Sequence, residues 1–264
     1  FVTSIPNILF FMADPLRCDS LAHAGHPHIK TPNIDRLAAR GVAFSRAFIQ
    51  SPVCSGSRMC FYTGRYQITH GATYNNVPLR VDEVTIGDDL RPLGYRVALV
   101  GKTHFAPDEA ALKRLGLSPG IDPGLPLMHA GFEPFERDDG LHPEVGGALY
   151  GPDPAYNRWL RQLGYSGMNP WHEWANSVAG DNGEVLSGWS MRNARRPARV
   201  KEEHSETAYM TDRGIEFMRR AGDQPWCLHL SYIKPHWPYI APAPYHDMYG
   251  PAHVIPANRT AAER

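Results

Sequence analysis

The sequence predicts an α/β fold: a largely parallel central sheet flanked by helices. Three observations carry this expectation. Short apolar runs alternate with helix-like segments along the chain. The runs are apolar at successive positions, as strands covered on both faces are. Polar, chemistry-bearing residues recur just past these runs, where open α/β sheets bind ligands.

Residues 5–12 read as a central strand that ends at Ala13-Asp14-Pro15. Residues 31–41 read as a short helix, with Pro32 in its first turn and Gly41 as its stop. Residues 42–49 return as an apolar strand. Residues 84–93 form a helix ended by Gly94, and residues 95–101 a strand running into Lys102-Thr103-His104. Residues 106–200 are rich in Gly, Pro, Trp and Asp and poor in periodicity. They read as long loops with short helices, an insert that shapes a substrate site rather than a separate domain. Regular structure resumes with a helix over 205–221. A strand over 226–233 follows, ending at Lys234-Pro235-His236-Trp237-Pro238-Tyr239. No repeat or low-complexity tract interrupts the pattern.

Composition narrows the function. Among 264 residues, 27 basic side chains balance 27 acidic ones, so neither a nucleic acid nor an anionic membrane surface is an expected partner. No apolar run is long enough to span a membrane. Residues 5–12 lack a basic leader, which points to a buried strand and a cytoplasmic protein, or a periplasmic or secreted one where a leader has been removed. Cys18, Cys54, Cys60 and Cys227 show no disulfide-rich spacing. His23, His26 and His28 flank Pro27 without helical spacing, which argues against a zinc site there.

The most informative run is Pro52-Val53-Cys54-Ser55-Gly56-Ser57-Arg58-Met59-Cys60-Phe61-Tyr62-Thr63-Gly64-Arg65. A turn opening a helix here would aim backbone N–H groups at whatever Cys54 touches, an anion site, with Arg58 one turn along the same face. The plainer reading is a packed thiol at a helix start. The spacings Cys54–Arg58 and Cys60–Arg65 are too short for the phosphate loop of cysteine phosphatases.

The run resembles the sulfatase signature Cys-x-Pro-Ser-Arg followed by Thr-Gly, with Gly56 where the signature has Pro. The resemblance extends over nearly the whole chain. It includes residues 7–14, Thr31-Pro32-Asn33-Ile34-Asp35-Arg36-Leu37, Gly101-Lys102-Thr103-His104 and Lys234-Pro235-His236-Trp237-Pro238. It points to the alkaline phosphatase superfamily, and within it to the phosphonate monoester hydrolase and arylsulfatase branch. The resemblance implies metal-dependent hydrolysis of sulfate, phosphonate or phosphate esters. The implied nucleophile is a formylglycine made from Cys54 by a formylglycine-generating enzyme. Asp14 resembles the first metal-binding aspartate, with Cys54 beside it and one divalent ion, Ca²⁺, Mn²⁺ or Mg²⁺, between them. The single Asp14-Pro15, rather than two adjacent Asp, is similar to the phosphonate hydrolase branch. Arg58 matches the arginine that holds the formylglycine. Lys102 and His104 match the pair around the nucleophile, and His236 the histidine on the leaving-group side. Asn75, Thr103 and Lys234 are the implied substrate contacts, and the substrate a small anionic ester. Homo-oligomer formation stays open.

The family's later Asp-His or Asp-Asn metal pair and its downstream lysine have no counterpart here; Asp247 follows His246, in the reverse order. The resemblance therefore implies the N-terminal part, residues 1–264, of a longer hydrolase lacking the C-terminal portion. Two other functions remain open: a noncatalytic or truncated sulfatase-like anion-binding protein, and a phosphodiesterase with an unmodified nucleophile. The thiol of Cys54 speaks against the second, whose members carry Ser or Thr.

Overall fold

The computed structural model describes residues 5–140 and 153–256. In chain order the regular elements begin with β1 (Ile8–Asp14), α1 (Pro32–Arg40), α2 (Cys54–Thr63), α3 (Gln67–His70) and α4 (Ile86–Leu90). β2 (Arg96–Gly101), α5 (Glu109–Arg114), α6 (Gly124–Leu127), β3 (Glu133–Arg137) and α7 (Ala155–Gln162) follow. The last are β4 (Ser177–Ala179), β5 (Val185–Ser187), α8 (Glu206–Ala221) and β6 (Trp226–Pro235). Four strands form one sheet in the order β1-β6-β2-β3, and every pair in it is parallel. β4 and β5 make a small antiparallel hairpin outside it.

Apolar character on both faces places β6 and β2 in the centre. On β2, Val97 and Leu99 face one layer and Ala98 and Val100 the other, the two-residue alternation of a strand. The first layer packs Met59 and Tyr62 of α2 with Phe132 and Cys227. The second packs Met210 and Phe217 of α8 with Leu228 and Leu230 of β6. Helix α8 is well terminated. The Ser205 hydroxyl accepts from Ala208 N, Glu206 lies in the first turn, and Arg219 and Arg220 lie in the last turn, where cations suit the helix dipole.

The register of these pairings positions the chemistry. Along β6, Asp14 of β1 lies opposite Pro235 and Gly101 of β2 opposite Ser231. The carboxyl ends of β1 and β2 thereby flank the last residues of β6 at one edge, with β1 reaching further along β6 than β2. At Gly101 the chain turns out of the sheet with φ +100°, and a Cβ there would overlap the Ser231 carbonyl oxygen. Only glycine satisfies both conditions.

Two expectations need correction. Residues 42–49 are loop and turn, not strand. Val42, Phe44, Phe48 and Ile49 are 73–82% exposed, and among the described residues no strand lies beside them to complete a ladder. Residues 106–200 are not only long loops with short helices. They contribute β3 to the central sheet, and Tyr156, Leu160, Trp171 and Val178 to the core under α8. β3 escaped notice because it is polar and carries Pro134, which an edge strand tolerates. Its charges are partnered: Glu133 Oε2 accepts from Arg96 Nε at 2.9 Å, and Glu136 Oε2 from the Tyr209 hydroxyl at 3.1 Å. The part of this region at 141–152 lies outside the described residues, as does the polar stretch at 257–264.

The crowded turn at Gly101 generates a stability expectation. Gly101→Ala should lower the free energy of unfolding by about 2 kcal/mol or more, from backbone strain and overlap together. A denaturant titration measures this, and a midpoint equal to wild type would refute the close approach.

Candidate active site

Residue Val53 is extended and Cys54 opens α2, so the thiol sits at a helix N-terminus. Of the first-turn amides, Ser55 N donates to Asn75 Oδ1 at 3.0 Å and Ser57 N to Val53 O at 2.9 Å. Gly56, the departure from the signature, has a structural counterpart. A Cβ at this position would run into the side chains of Gln67 and Ser51, so the space of a larger residue is taken up by Gln67.

Arg58 is one turn along α2 and only 2% exposed. Its Nη1 donates to Lys102 O at 2.7 Å, to Ser231 Oγ at 2.9 Å and to the Tyr62 hydroxyl at 3.4 Å. Its Nη2 lies 3.6 Å from Asp14 Oδ2. That buried nitrogen has no hydrogen-bond partner among the described residues. Beneath Arg58, Tyr62 OH meets His229 Nε2 at 3.1 Å. Burial, reinforced by the Arg58 charge, pushes His229 down to about 3, so this imidazole is a neutral packing group.

Asp14 is the hub. Lys102 Nζ donates a short hydrogen bond to its Oδ2, and Cys54 Sγ lies 3.6 Å from Oδ1 and 3.7 Å from Oδ2. Burial pushes the Asp14 carboxyl up, but Lys102 and then Arg58 outweigh it and hold the pKa below the ordinary carboxylate value. His236 completes the cluster. One ligand atom each from Asp14, Cys54 and His236 lies within 4.8 Å of the others, the one such group among the described residues. His236 Nδ1 is 2.6 Å from Trp237 O; donation to that carbonyl leaves Nε2 for chemistry.

The other predicted residues divide. Asn75 reaches the start of α2 and so stands beside Cys54. His104 follows Lys102 in a left-handed backbone conformation, φ +49°, and its buried Nδ1 has no hydrogen-bond partner among the described residues. Thr103, expected to touch substrate, is fully buried. Its hydroxyl accepts from Phe105 N at 3.2 Å and faces the Asp139 carboxylate. Lys234 also stands apart. Its Nζ donates to Pro238 O at 2.6 Å and to Asn176 Oδ1 at 3.4 Å. It lines a cavity of about 730 Å³ with Glu206, Tyr239 and Ile240 on the α8 side. Burial lowers its pKa, with Glu206 opposing. Among the described residues, His23, His26 and His28 join no group of metal-ligating side chains, and Asp247 is not part of the Asp14 group.

Sequence reasoning missed Ser231, Tyr62 and Asp139. The Asp138-Asp139-Gly140 run after Arg137 resembles the polar ends of the other strands, a signal legible only once β3 is known to be one.

Asp14 and Cys54, with His236 beside them, bring possible ligand atoms for a metal ion to this corner, and the Asp14 carboxylate oxygen is of the type that hard divalent cations take.

A parallel sheet with a thiol, a carboxylate and cations at its carboxyl edge is the arrangement of an alkaline phosphatase-like fold, and the solved structures below share it. The family model for sulfatases matches residues 6–119 and 122–253, so the chain belongs to the sulfatase family. It is 29% identical over 253 residues to the multifunctional alkaline phosphatase superfamily protein PehA of Trinickia caryophylli, covering 92% of this chain and 44% of that protein. An arylsulfatase of Clostridium perfringens (strain 13 / Type A) is 28% identical over 248 residues, covering 92% of this chain and 46% of its own length. Among solved structures, the phosphonate monoester hydrolase SpPMH from Silicibacter pomeroyi superposes with a TM-score of 0.76 at 30% identity, covering 97% of this chain and 47% of that one. The phosphonate monoester hydrolase of Agrobacterium radiobacter gives 0.75 at 29%, covering 97% and 46%. The chain thus spans under half the length of these relatives.

Asp14 couples this site to stability. Asp14→Asn strands two buried cations and should destabilise the fold by ~3 kcal/mol or more at neutral pH. With its folded pKa below the reference 3.8, Asp14 contributes stability that is present above that pH and is lost as pH falls through the folded value. Denaturation midpoints followed into acid should therefore fall less steeply for Asp14→Asn than for wild type.

Proposed function

We propose that this chain carries the nucleophile-bearing half of a hydrolase for sulfate monoesters, phosphonate monoesters and phosphate diesters, acting through a formylglycine at residue 54. One observation carries the reading. Cys54, Asp14, Arg58, Lys102 and His236, from α2 and three strand ends, meet at one point of the sheet edge. Converted by a formylglycine-generating enzyme, residue 54 supplies two geminal hydroxyls, one to attack and one to release the acid. A divalent cation held by Asp14 and residue 54 would lower the pKa of the attacking hydroxyl and neutralise nonbridging oxygens.

The chain's own residues do the rest. Lys102 and Arg58 present fixed positive charge to the equatorial oxygens, where it counts most as the transition state spreads negative charge over them. The first turn of α2 adds its amides to the same field. This recognition depends on anionic oxygens and not on the central atom, which favours a site tolerant of sulfur and phosphorus. His236, through Nε2, protonates the departing oxygen, and the adjacent, partly exposed Trp237 offers an apolar surface for the alcohol group.

In the intact protein, Cys54→Ala should abolish hydrolysis, and Cys54→Ser should retain a trace at most, because a serine ester lacks the second hydroxyl. Intact mass reports whether sulfur has been exchanged for oxygen. Full activity in Cys54→Ser would defeat the formylglycine reading. His236→Ala should slow esters with poor leaving groups by ~10²-fold or more while sparing nitrophenyl esters, which need little protonation. Equal losses for both would move the acid role away from His236.

A further inference from the structure

The loop at residues 102–105 carries Lys102 and His104 yet belongs to no helix or strand. Something else must hold it, since a displacement of even an ångström would spoil an electrostatic site. Its polar backbone groups show what does. Lys102 N donates to Ser231 O at 3.0 Å, and Lys102 O accepts from Arg58. The next two amides converge on one atom: Thr103 N is 2.6 Å and His104 N 3.1 Å from Asp139 Oδ1. The other oxygen, Asp139 Oδ2, accepts from Arg137 Nη2 at 3.0 Å. That same nitrogen donates to Phe105 O at 2.9 Å. Arg137 is anchored in turn, its Nη1 lying 3.1 Å from both Met128 O and His129 Nδ1. Burial first, then the Arg137 charge, lowers His129 to about 4, so its ring accepts from the guanidinium as a neutral group.

We propose that Asp139, braced by Arg137, is the positioning residue for the loop that carries Lys102 and His104. The proposal rests on the hydrolase reading given above and adds a residue that touches none of the reacting groups. Two physical arguments support it. Pointing consecutive amides at one oxygen needs a tight turn, and His104 adopts φ +49°, a left-handed conformation that is unfavourable for a non-glycine residue. Charge-assisted hydrogen bonds to a carboxylate are strong enough to offset that cost, whereas neutral ones are marginal. The second argument is burial. The Arg137 and Asp139 side chains are 4% and 7% exposed, and a pair so placed is a poor source of net stability compared with apolar packing. What the pair does achieve is geometric. It grips the loop at the amides of 103 and 104 and at the carbonyl of 105, so that Lys102 reaches Asp14 and its carbonyl meets Arg58.

The test compares three variants of the intact protein. Asp139→Asn is isosteric and keeps an acceptor but loses the charge. Arg137→Lys keeps a charge but loses the fork that spans Asp139 and Phe105. Glu133→Gln breaks a different ion pair on the same strand and serves as the control for plain destabilisation. Two readouts are taken at matched folded fraction: steady-state kinetics, and amide exchange of the peptide containing residues 103–105. Asp139→Asn should lower kcat by ~10-fold or more with KM within about twofold, and should speed exchange of that peptide while α2 peptides stay protected. Arg137→Lys should do the same more weakly, and it decides the matter if Asp139→Asn does not fold. Glu133→Gln should change neither. Wild-type kinetics and wild-type exchange in Asp139→Asn would overturn the proposal, as would losses equal to those of Glu133→Gln. A wild-type protein without hydrolase activity would sink the functional reading alone, because the exchange comparison still decides whether Asp139 holds the loop.

Discussion

The parallel pairing of β1 and β2 on the two sides of β6 is the constraint on which the rest of this structure depends. With Asp14 opposite Pro235 and Gly101 opposite Ser231, three chain segments leave the sheet at the same edge. A carboxylate, a lysine-bearing loop and a histidine are then neighbours without any of them being near in sequence. A register slip of one residue would exchange the side chains on the two packed faces of β6 and separate these groups at once. The register is defended by the core: Val97 and Leu99 against α2, Ala98 and Val100 against α8.

The site built at that edge concentrates buried charge. Asp14 faces Lys102 and Arg58, and Arg58 also supports the Lys102 carbonyl and Ser231. Such an arrangement is a costly way to stabilise a fold, since desolvation of the ions consumes most of their mutual attraction. It is an effective way to prepare a field for an anion, because the charges are already in place and no solvent must reorganise when substrate charge develops. Arg58 Nη2, buried but without a hydrogen-bond partner among the described residues, fits that interpretation. Contact with the site carboxylate and support of the neighbouring backbone meet in this one guanidinium.

Family membership sets these residues in context. The match to sulfatases runs through nearly the whole chain, while the chain itself spans under half the length of its relatives. Within that shared frame, two local features of this chain stand out. Gly56 replaces the signature proline and leaves the space that Gln67 enters. Lys234 turns into the cavity beside α8, whereas His236, two residues on, turns to Asp14.

The sequence alone was enough for the α/β class, for the order of β1, β2, α8 and β6, and for the meeting of Asp14, Cys54, Arg58, Lys102 and His236. Each of these announces itself locally, by an apolar run, a helix cap or a polar residue just past a strand end. What only the tertiary structure decided shares a different property: it depends on partners remote in sequence. β3 is a strand because β2 offers it an edge, although its own residues are charged and include a proline. Residues 42–49 have the apolar alternation of a strand but no neighbour among the described residues. Thr103 is buried and Lys234 directed to the α8 side by contacts with Asp139, Asn176 and Pro238. Asp139 itself looked like an ordinary acidic residue in a loop-rich stretch. Its meaning came from the two backbone amides, more than thirty residues away in the chain, that the fold aims at its carboxylate.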